Sequence, residues 1–332
     1  MRRIIIIALS ILLLAALCSC ELTCDSPVQG KMHIIVYGND YRYGTYYPVL
    51  DRYGDGYKSQ VFYDKSSESV GNASSLRGTV NDAYQVGLAL CNLAKSRQEY
   101  DAIFMLGVES KSVSGLNATV MNDVSMNAFL DVLDSLVNDV GEDDITIIYF
   151  SGHGFGEKSK LPYGSDPASG SYLALRRDSD STVLYPISKF LRTVESIPGT
   201  KILIGDFCYS GALVRAGNVS VTSGEYSNIS ASKLLKYRSN ITESSSVYCL
   251  SASRYFEESH EPGDGSHGYF TTVLLEALGW DEEAQSLVTP EAMTDNRITL
   301  FNIAKYVTKN DSDTRQTPMT SGGSNDIILF SF

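Results

Sequence analysis

Two residues of the sequence, Cys208 and His153, are of the types that a cysteine hydrolase needs, and both follow the same kind of segment. His153 comes shortly after the apolar run 145–150, and Cys208 shortly after the apolar run 201–206. Each run is short, rich in β-branched residues and followed by glycines, which predicts a strand buried on both faces of a parallel sheet. Ligand sites in open α/β sheets lie at the carboxyl ends of the strands. We therefore predict that this edge carries a thiol beside an imidazole, the minimum for nucleophilic catalysis by cysteine.

Catalysis by a thiol also requires hydrogen-bond donors for the oxyanion that forms on the substrate. The backbone N–H of Gly154 is free of a side chain and could approach a substrate carbonyl, and the N–H of Cys208 is a second candidate. A lone His or Cys is more often structural. The prediction of catalysis therefore depends on the fact that both residues follow the same kind of strand and turn. The remaining histidines are weaker candidates for the base: His33, His260 and His267.

Strand-like and helix-like patterns alternate along the chain, which predicts a doubly wound α/β fold. We expect one domain with a mostly parallel, six-stranded sheet flanked by helices. The predicted sheet strands are 31–38, 102–106, 145–150, 201–206, 247–252 and 326–330. The predicted helices are 80–93, 126–140, 187–196, 270–278 and 300–307, and a hairpin is expected at 172–185. The Tyr- and Gly-rich stretch 39–72 has no clear period, and its tyrosines either line a groove or pack back on the domain.

The composition is that of an ordinary globular protein, with 332 residues, 43% hydrophobic and 20% charged. A formal net charge of -12 argues against a nucleic-acid partner, because phosphate binding needs clustered Lys and Arg. An acidic surface favours a basic substrate, although it also serves solubility alone. No zinc-type His-Glu-x-x-His pattern, nucleophilic-serine elbow or phosphate-binding glycine loop occurs in the sequence.

Several motifs together resemble the caspase-like cysteine peptidases, most closely their metacaspase branch with its bacterial members. The segments YFSGHG (149–154) and DFCYSG (206–211) are similar to the His and Cys motifs of that family. The resemblance covers essentially residues 32–332. Further similar segments occur along the chain in the order expected for the family: LRGTVNDA (76–83), SAS (251–253), GYFT (268–271), LLEAL (274–278) and QTP (316–318). The resemblance implies a caspase-like (caspase-hemoglobinase) fold and a cysteine endopeptidase, with His153 as general base and acid and Cys208 as nucleophile.

The resemblance also implies a pocket for the residue before the cleaved bond, the P1 residue, lined by Asp82, Ser151 and Asp206. Two buried carboxylates would pair with Arg or Lys, and bidentate pairing favours Arg. True caspases cleave after aspartate and carry a Gln at the position of Asp206, where a carboxylate would repel an acidic side chain. The alternatives are that Asp82 only stabilises a helix N-terminus and that Asp206 is a structural carboxylate at a strand end.

Two departures from the metacaspase pattern put the shape of the pocket in question. Tyr209 replaces the His that usually follows the nucleophile, and Thr79 replaces a frequent Cys.

The dyad requires no cofactor. Activation by calcium, which many metacaspases need, stays open, because the acidic residues are scattered and no loop has the spacing of calcium ligands. The expected partners are protein or peptide substrates with a basic P1 residue.

The N-terminal residues have the pattern of a lipoprotein-type signal peptide. Residues 1–3 are positively charged and 4–17 are almost wholly apolar, which is short for a spanning helix. Residues 17–20 resemble a bacterial lipobox, and Cys20 fits the lipidated position better than Cys18. We expect a signal peptide at 1–19, an anchor and linker at 20–30 and the caspase-like peptidase domain at 31–332. The protein would be exported and lipid-anchored to a membrane of the bacterial cell envelope; an uncleaved membrane anchor is the alternative.

Cysteine usage favours a catalytic thiol over a disulfide framework. Of the six cysteines, Cys91 falls in a predicted helix and Cys249 in a predicted strand, where we expect two free core thiols. A bridge between these two is the alternative. Cys208 stands apart because it follows a strand end and is close to a glycine.

Two further hypotheses concern activity. A member of this family that lacked catalysis would use the fold to bind a peptide or protein partner, although inactive relatives usually lose His or Cys and this chain keeps both. The polar stretch 216–246 is a candidate for self-cleavage, because basic residues lie in or beside it: Arg215, Lys233, Lys236 and Arg238. The same composition also describes an ordinary flexible loop.

Overall fold

The computed structural model describes residues 30–41, 45–47, 71–72, 76, 78–107, 111–156, 171–178, 181–216, 247–262, 265–321 and 327–332. The predicted signal peptide, the predicted lipidation site Cys20 and all but the first residue of the predicted self-cleavage stretch 216–246 lie outside these residues. So does most of the Tyr-rich stretch.

The described residues form short strands that alternate with helices. The strands are β1 (Met32–Gly38), β2 (Thr45–Tyr47), β3 (Gly71–Asn72), β4 (Tyr100–Leu106), β5 (Ala118–Met121), β6 (Ile145–Ser151), β7 (Gly154–Phe155), β8 (Tyr172–Asp178), β9 (Ser181–Pro186), β10 (Thr200–Asp206), β11 (Val247–Ser251), β12 (Trp280–Asp281), β13 (Ser286–Leu287), β14 (Arg297–Thr299), β15 (Met319–Thr320) and β16 (Ile328–Ser331). The helices are α1 (Thr79–Lys95), α2 (Met126–Asp139), α3 (Ile187–Glu195), α4 (Gly211–Ala216), α5 (Tyr269–Leu278) and α6 (Leu300–Asn310). All five predicted helices are confirmed, with ends that differ by a few residues.

The central sheet has seven strands in the order β15-β11-β10-β6-β1-β4-β5. All its pairings are parallel except that of β15 at one edge. The mostly parallel sheet is confirmed, but the prediction of six strands was wrong. The predicted last strand pairs outside this sheet, as β16 with β14, and the short edge strands β5 and β15 were not predicted. Strand β5 is only partly buried, so it lacks the long apolar run that identified the inner strands.

Helices cover both faces of the sheet, so the core has two apolar layers. Alternate residues of β1 and β6 point to opposite faces, as expected for strands. Residues of helices α1, α5 and α6 form one layer and residues of α2, α3 and α4 form the other. Cys91 lies in the first layer and Cys249 in the second, and both are free, buried thiols. The expectation of two core thiols is confirmed.

A second sheet lies at the carboxyl ends of the main strands and contains the predicted hairpin. Strands β8 and β9 pair antiparallel, and the sheet has the order β3-β2-β9-β8-β7. Strand β7 begins three residues after β6 ends, so the chain passes directly from the central sheet into this one. Residue 153 lies at this crossing.

The register of the central sheet brings the ends of β6 and β10 level with each other. Ser151 is paired with Asp206, and Gly38 of β1 is paired with Ser151 on the other side. Residues that follow these positions therefore emerge side by side at one edge. In the part of the chain that the structure describes, no helix combines the length and apolar character needed to cross a bilayer.

Candidate active site

Cys208 lies in a tight turn between strand β10 and helix α4. The Ser210 N–H donates to the Phe207 carbonyl at 3.2 Å, and the Tyr209 N–H donates to the Glu257 carbonyl at 2.7 Å. Tyr209 has a positive φ of 65°, a backbone conformation that costs a bulky residue free energy and is common at functional turns. The turn holds the Cys208 thiol 3.5 Å from the Ser259 carbonyl, to which it donates a weak hydrogen bond.

The surroundings of the Cys208 thiol favour its neutral form. Burial raises the pKa of Cys208 to about 11, and the nearby carboxylates of Glu258 and Asp206 add to the increase. A thiol with so high a pKa is a poor nucleophile on its own. Catalysis by Cys208 therefore requires a base that takes the proton as the substrate is attacked.

His153 is fixed through its own backbone at the crossing between the two sheets. Its N–H donates to the Tyr41 hydroxyl at 2.7 Å, and its carbonyl accepts a hydrogen bond from the Ala174 N–H at 3.0 Å. The Tyr41 hydroxyl in turn donates to the Ala174 carbonyl at 2.8 Å. The Tyr41 and His153 rings are in contact, with centroids 4.5 Å apart. Tyr41 is 2% exposed, so this tyrosine of the stretch 39–72 packs back on the domain.

Gly154 brings the His loop and the Cys turn together. A Cβ atom at Gly154 would overlap the carbonyl oxygen of Cys208 and contact the Phe207 ring. The neighbouring Gly152 N–H donates to the Asp206 carbonyl at 3.2 Å. Because Gly154 directly follows His153, these contacts hold the imidazole-bearing segment against the turn that carries the thiol.

The three residues predicted to form the P1 pocket are also brought together. The Ser151 hydroxyl donates to Asp82 Oδ2 at 2.8 Å, and Ser151 is paired in register with Asp206. The Gly268 N–H donates to Asp82 Oδ1 at 3.2 Å, and a Cβ at Gly268 would lie against Asp206 Oδ2. Asp82 is 2% exposed and Asp206 6%. Two buried carboxylates thus lie near each other at this edge.

Hydroxyl donors surround the Asp206 carboxylate. Ser259 donates to Oδ1 and Thr271 to Oδ2, both at 2.6 Å. Burial raises the pKa of Asp206 to about 7, and the charge of Asp82 adds to the increase. Burial also raises the pKa of Asp82, whereas its hydrogen bonds with His267 and Ser151 act in the opposite direction. The charge of this carboxylate pair is therefore sensitive to pH near neutrality.

Sequence reasoning missed four residues that contact the site: Tyr41, Ser259, His267 and Thr271. Thr271 belongs to a segment whose resemblance to the family was noted, and His267 directly precedes that segment. The contacts of these side chains leave no spacing signal in the sequence. His267 was considered only as a weak candidate for the base. The Asp82 Oδ1 to His267 Nδ1 distance of 2.8 Å shows that it contacts the carboxylate pair instead.

The described residues contain no group of three or more His, Cys, Asp or Glu side chains arranged to hold a metal ion.

The parallel sheet, its flanking helices and the site at its carboxyl edge define an α/β protein of the caspase-like class. The sequence model of the caspase domain matches residues 62–323, so the chain belongs to the caspase domain family, which consists of cysteine peptidases. Strand β1 precedes the matched range, although it is an inner strand of the central seven-stranded sheet.

Two solved structures are similar to the chain at low sequence identity. A protein from Geobacter sulfurreducens is 12% identical, with a TM-score of 0.47, covering 88% of this chain and 94% of that one. Caspase-1 from Spodoptera frugiperda is 11% identical, with a TM-score of 0.43, covering 92% of this chain and 91% of that one. No curated protein matches the chain.

Proposed function

We propose that this protein is a cysteine endopeptidase that uses Cys208 as nucleophile and His153 as base, and that it cleaves peptide bonds after Arg or Lys. The observation that carries the proposal is the pairing of Ser151 with Asp206. Because these strands end level with each other, the residues two positions later, His153 and Cys208, leave the sheet side by side. The contact of Gly154 with the Cys208 carbonyl supports the same arrangement.

In the proposed reaction, His153 takes the Cys208 proton while the sulfur attacks the substrate carbonyl carbon. The backbone N–H groups of Gly154 and Cys208 would stabilise the oxyanion. When the C–N bond breaks, His153 returns the proton to the leaving amine, and an acyl-enzyme thioester is left on Cys208. Water then attacks the thioester with His153 as base, which releases the acid and restores the thiol.

The preference for a basic P1 residue is supported by the two buried carboxylates, Asp82 and Asp206. A guanidinium or ammonium group entering between them would form charge-assisted hydrogen bonds in a site of low dielectric. An acidic side chain would meet like charges and lose its hydration without a partner.

Fluorogenic peptides that differ only in an Arg, Lys or Asp before the reporter test this function directly. We expect turnover of the Arg and Lys peptides, and loss of at least about a thousandfold in Cys208→Ala. The matched control is Cys249→Ala, which removes a core thiol and should retain activity. Equal turnover by Cys208→Ala would overturn the mechanism, and cleavage after Asp alone would overturn the pocket. A wild type that cleaves nothing, with or without calcium, favours the alternative of a non-catalytic peptide-binding member.

We also propose export and lipid anchoring through Cys20, supported by the lipobox-like residues 17–20. Metabolic labelling with a radioactive fatty acid tests this: label should appear on the wild type and be absent from Cys20→Ser. A label that persists in Cys20→Ser would contradict the proposed site.

Self-cleavage between strands β10 and β11 is the last part of the proposal, supported by the basic residues near 215–238 and by the proposed preference for Arg and Lys. The masses of purified wild type and Cys208→Ala decide it. Fragments that end at a basic residue only in the wild type are expected, and identical intact masses would contradict it.

A further inference from the structure

His267 lies between two carboxylates, one of which belongs to the proposed P1 pocket. Its Nδ1 is 2.8 Å from Asp82 Oδ1, and its Nε2 is 2.8 Å from Glu282 Oε2. The residue is 7% exposed, whereas Glu282 reaches the surface with 42% of its side chain exposed. A line of three titratable groups therefore connects the pocket to solvent.

The geometry favours the charged form of this imidazole. An ionised carboxylate only accepts hydrogen bonds, and a neutral imidazole has only one N–H to donate. A carboxylate oxygen lies 2.8 Å from each ring nitrogen of His267, whereas the Asn81 amide nitrogen lies 3.3 Å from Nε2. The two shorter contacts are satisfied together by the imidazolium, which donates from both nitrogens. Burial opposes this charge, but the contacts with Asp82 and Glu282 outweigh it and raise the pKa of His267 above its ordinary value.

We propose that His267 is a specificity-determining residue, whose imidazolium keeps Asp82 ionised so that Asp82 and Asp206 are both charged when a basic P1 side chain arrives. The proposal depends on the proposed function. Within the described residues, the hydrogen-bond contacts of His267 are to Asp82, Glu282 and Asn81, and none is to Cys208. His267 acts on the substrate only through Asp82, so it is a positioning residue that sets the charge of the pocket.

The need for such a cation follows from the closeness of the two carboxylates. Two buried carboxylates that share a site hold one proton between them, because the second charge is strongly disfavoured. Ser151 and Gly268 both donate to Asp82, Ser151 is paired in register with Asp206, and Gly268 packs against the Asp206 carboxylate. The Asp82 charge raises the pKa of Asp206. An imidazolium 2.8 Å from Asp82 offsets one of the two charges.

The other described groups around Asp82 and Asp206 supply no positive charge that would offset the two carboxylates. The Tyr149 phenol is fully buried and bonded to Thr271, with 2.6 Å between the two oxygens, and its pKa is raised well above the ordinary value by burial. Asp311 also raises the pKa of Asp206 through its charge. Around the outer carboxylate, the amides of Asn81 and Gln85 donate to Glu282 Oε1. Among the described groups facing Asp82, His267 alone is titratable and able to carry a positive charge.

The test is the pH dependence of Arg-peptide cleavage by His267→Gln. Without the imidazolium, Asp82 and Asp206 are both ionised only at higher pH. We expect the acid limb of kcat/KM to move upward by about one pH unit or more, with KM raised about tenfold near neutrality and kcat little changed. The alkylation rate of Cys208 by iodoacetamide should be unaffected, because this small reagent needs no P1 pocket.

His33→Gln is the matched control. His33 is also buried between two carboxylates, with Nδ1 2.9 Å from Asp101 and Nε2 3.3 Å from Asp144. It lies near the amino end of β1, far from the site, so its replacement should leave the pH profile in place. Should His267→Gln fail to fold, Glu282→Gln removes the outer carboxylate at a half-exposed position, and a smaller shift in the same direction is expected.

A second measurement does not depend on turnover. In Cys208→Ala, ¹⁵N spectra of the imidazole should show His267 doubly protonated at pH 7. A neutral ring at that pH, or a pH profile of His267→Gln that matches the wild type, overturns the inference while leaving the proposed function intact. If the wild type cleaves no Arg or Lys peptide at any pH, the proposed function fails and the inference fails with it.

Discussion

The Ser259 hydroxyl donates to Asp206, with 2.6 Å between Oγ and Oδ1. The carbonyl of the same serine accepts a hydrogen bond from the Cys208 thiol. Ser259 therefore contacts both the proposed nucleophile and the proposed P1 pocket. One residue of the segment after β11 thus joins the two parts of the proposed site.

Replacing Ser259 by Ala should move the pH dependence of peptide cleavage. The hydroxyl stabilises the charged form of Asp206, so its loss raises the pKa of that carboxyl further. We expect kcat/KM for an Arg peptide near pH 7 to fall about three- to tenfold, with partial recovery at pH 8–9. Ser135→Ala removes a hydroxyl of helix α2 that bonds the Val132 carbonyl and should leave activity unchanged. A Ser259→Ala profile that superimposes on the wild type would contradict the role of this contact.

The Asp206 carboxyl should produce the acid limb of the wild-type profile. With a pKa of about 7, Asp206 is neutral below that pH and cannot pair with a guanidinium. The KM for Arg peptides is therefore expected to fall as the pH rises through 7. In Asp206→Asn this dependence should disappear and kcat/KM should drop about a hundredfold, because a charged hydrogen-bond partner is lost from a buried site. Steady-state kinetics between pH 5.5 and 8.5 measure both effects, and an unaltered limb in the variant would exclude Asp206 as its origin.

Much of the fold was predictable from sequence because buried parallel strands leave a clear signal. Apolar β-branched runs identified strands β1, β4, β6, β10 and β11, and helical spacing identified the main helices. The edge strands left no such signal, since β15 has only two residues. The predicted final strand was found, as β16, but its partner β14 could not be inferred, because the residues that pair two short strands are set by tertiary packing.

The site was predictable where strand ends carry the side chains and unpredictable where loops contribute contacts. Ser151 and Asp206 end two adjacent strands, so the topology brings them together. His267 and Ser259 reach the same place from a loop after β11, and their distances from Asp82 and Asp206 depend on how that loop folds. Tyr41 belongs to a stretch without periodicity, so its contacts with the backbone and ring of His153 could not be inferred from the sequence.

Removing the Tyr41 hydroxyl should impair the positioning of His153. In Tyr41→Phe, the half-buried His153 N–H and the buried Ala174 carbonyl both lose the hydrogen bond to the hydroxyl. A lost hydrogen bond of this kind costs about 1–3 kcal/mol. We expect lower kcat with little change in KM, together with a lower melting temperature. Tyr84→Phe is the control, because the Tyr84 hydroxyl bonds the Ser112 carbonyl at an exposed position. Equal kcat values for wild type and Tyr41→Phe would show that the hydroxyl does not position the imidazole.

Gly154→Ala tests the contact between the His loop and the Cys turn. The added methyl group would overlap the Cys208 carbonyl oxygen and the Phe207 ring, so the backbone must shift, at a cost of about 1–3 kcal/mol. We expect reduced stability and a loss of activity larger than the loss of stability explains, since the shift separates thiol from imidazole. In Gly141→Ala the methyl group would meet only the Asp144 carboxylate at 3.2 Å. That variant should resemble the wild type in urea unfolding and in turnover.

His33 should make the stability of the fold depend on pH independently of the active site. Burial opposes its charge, but hydrogen bonds with Asp101 and Asp144 raise the pKa of His33 above 6.5. A group with a raised pKa in the folded state contributes stability that is fully present below its unfolded pKa and is lost as pH rises through the folded pKa. The free energy of unfolding should therefore differ between wild type and His33→Gln by about 1–3 kcal/mol at pH 5.5, and by less at pH 9. Urea unfolding at both pH values measures this difference. A gap that stays constant or widens toward pH 9 would mean that the charged form of His33 does not stabilise the amino end of the sheet.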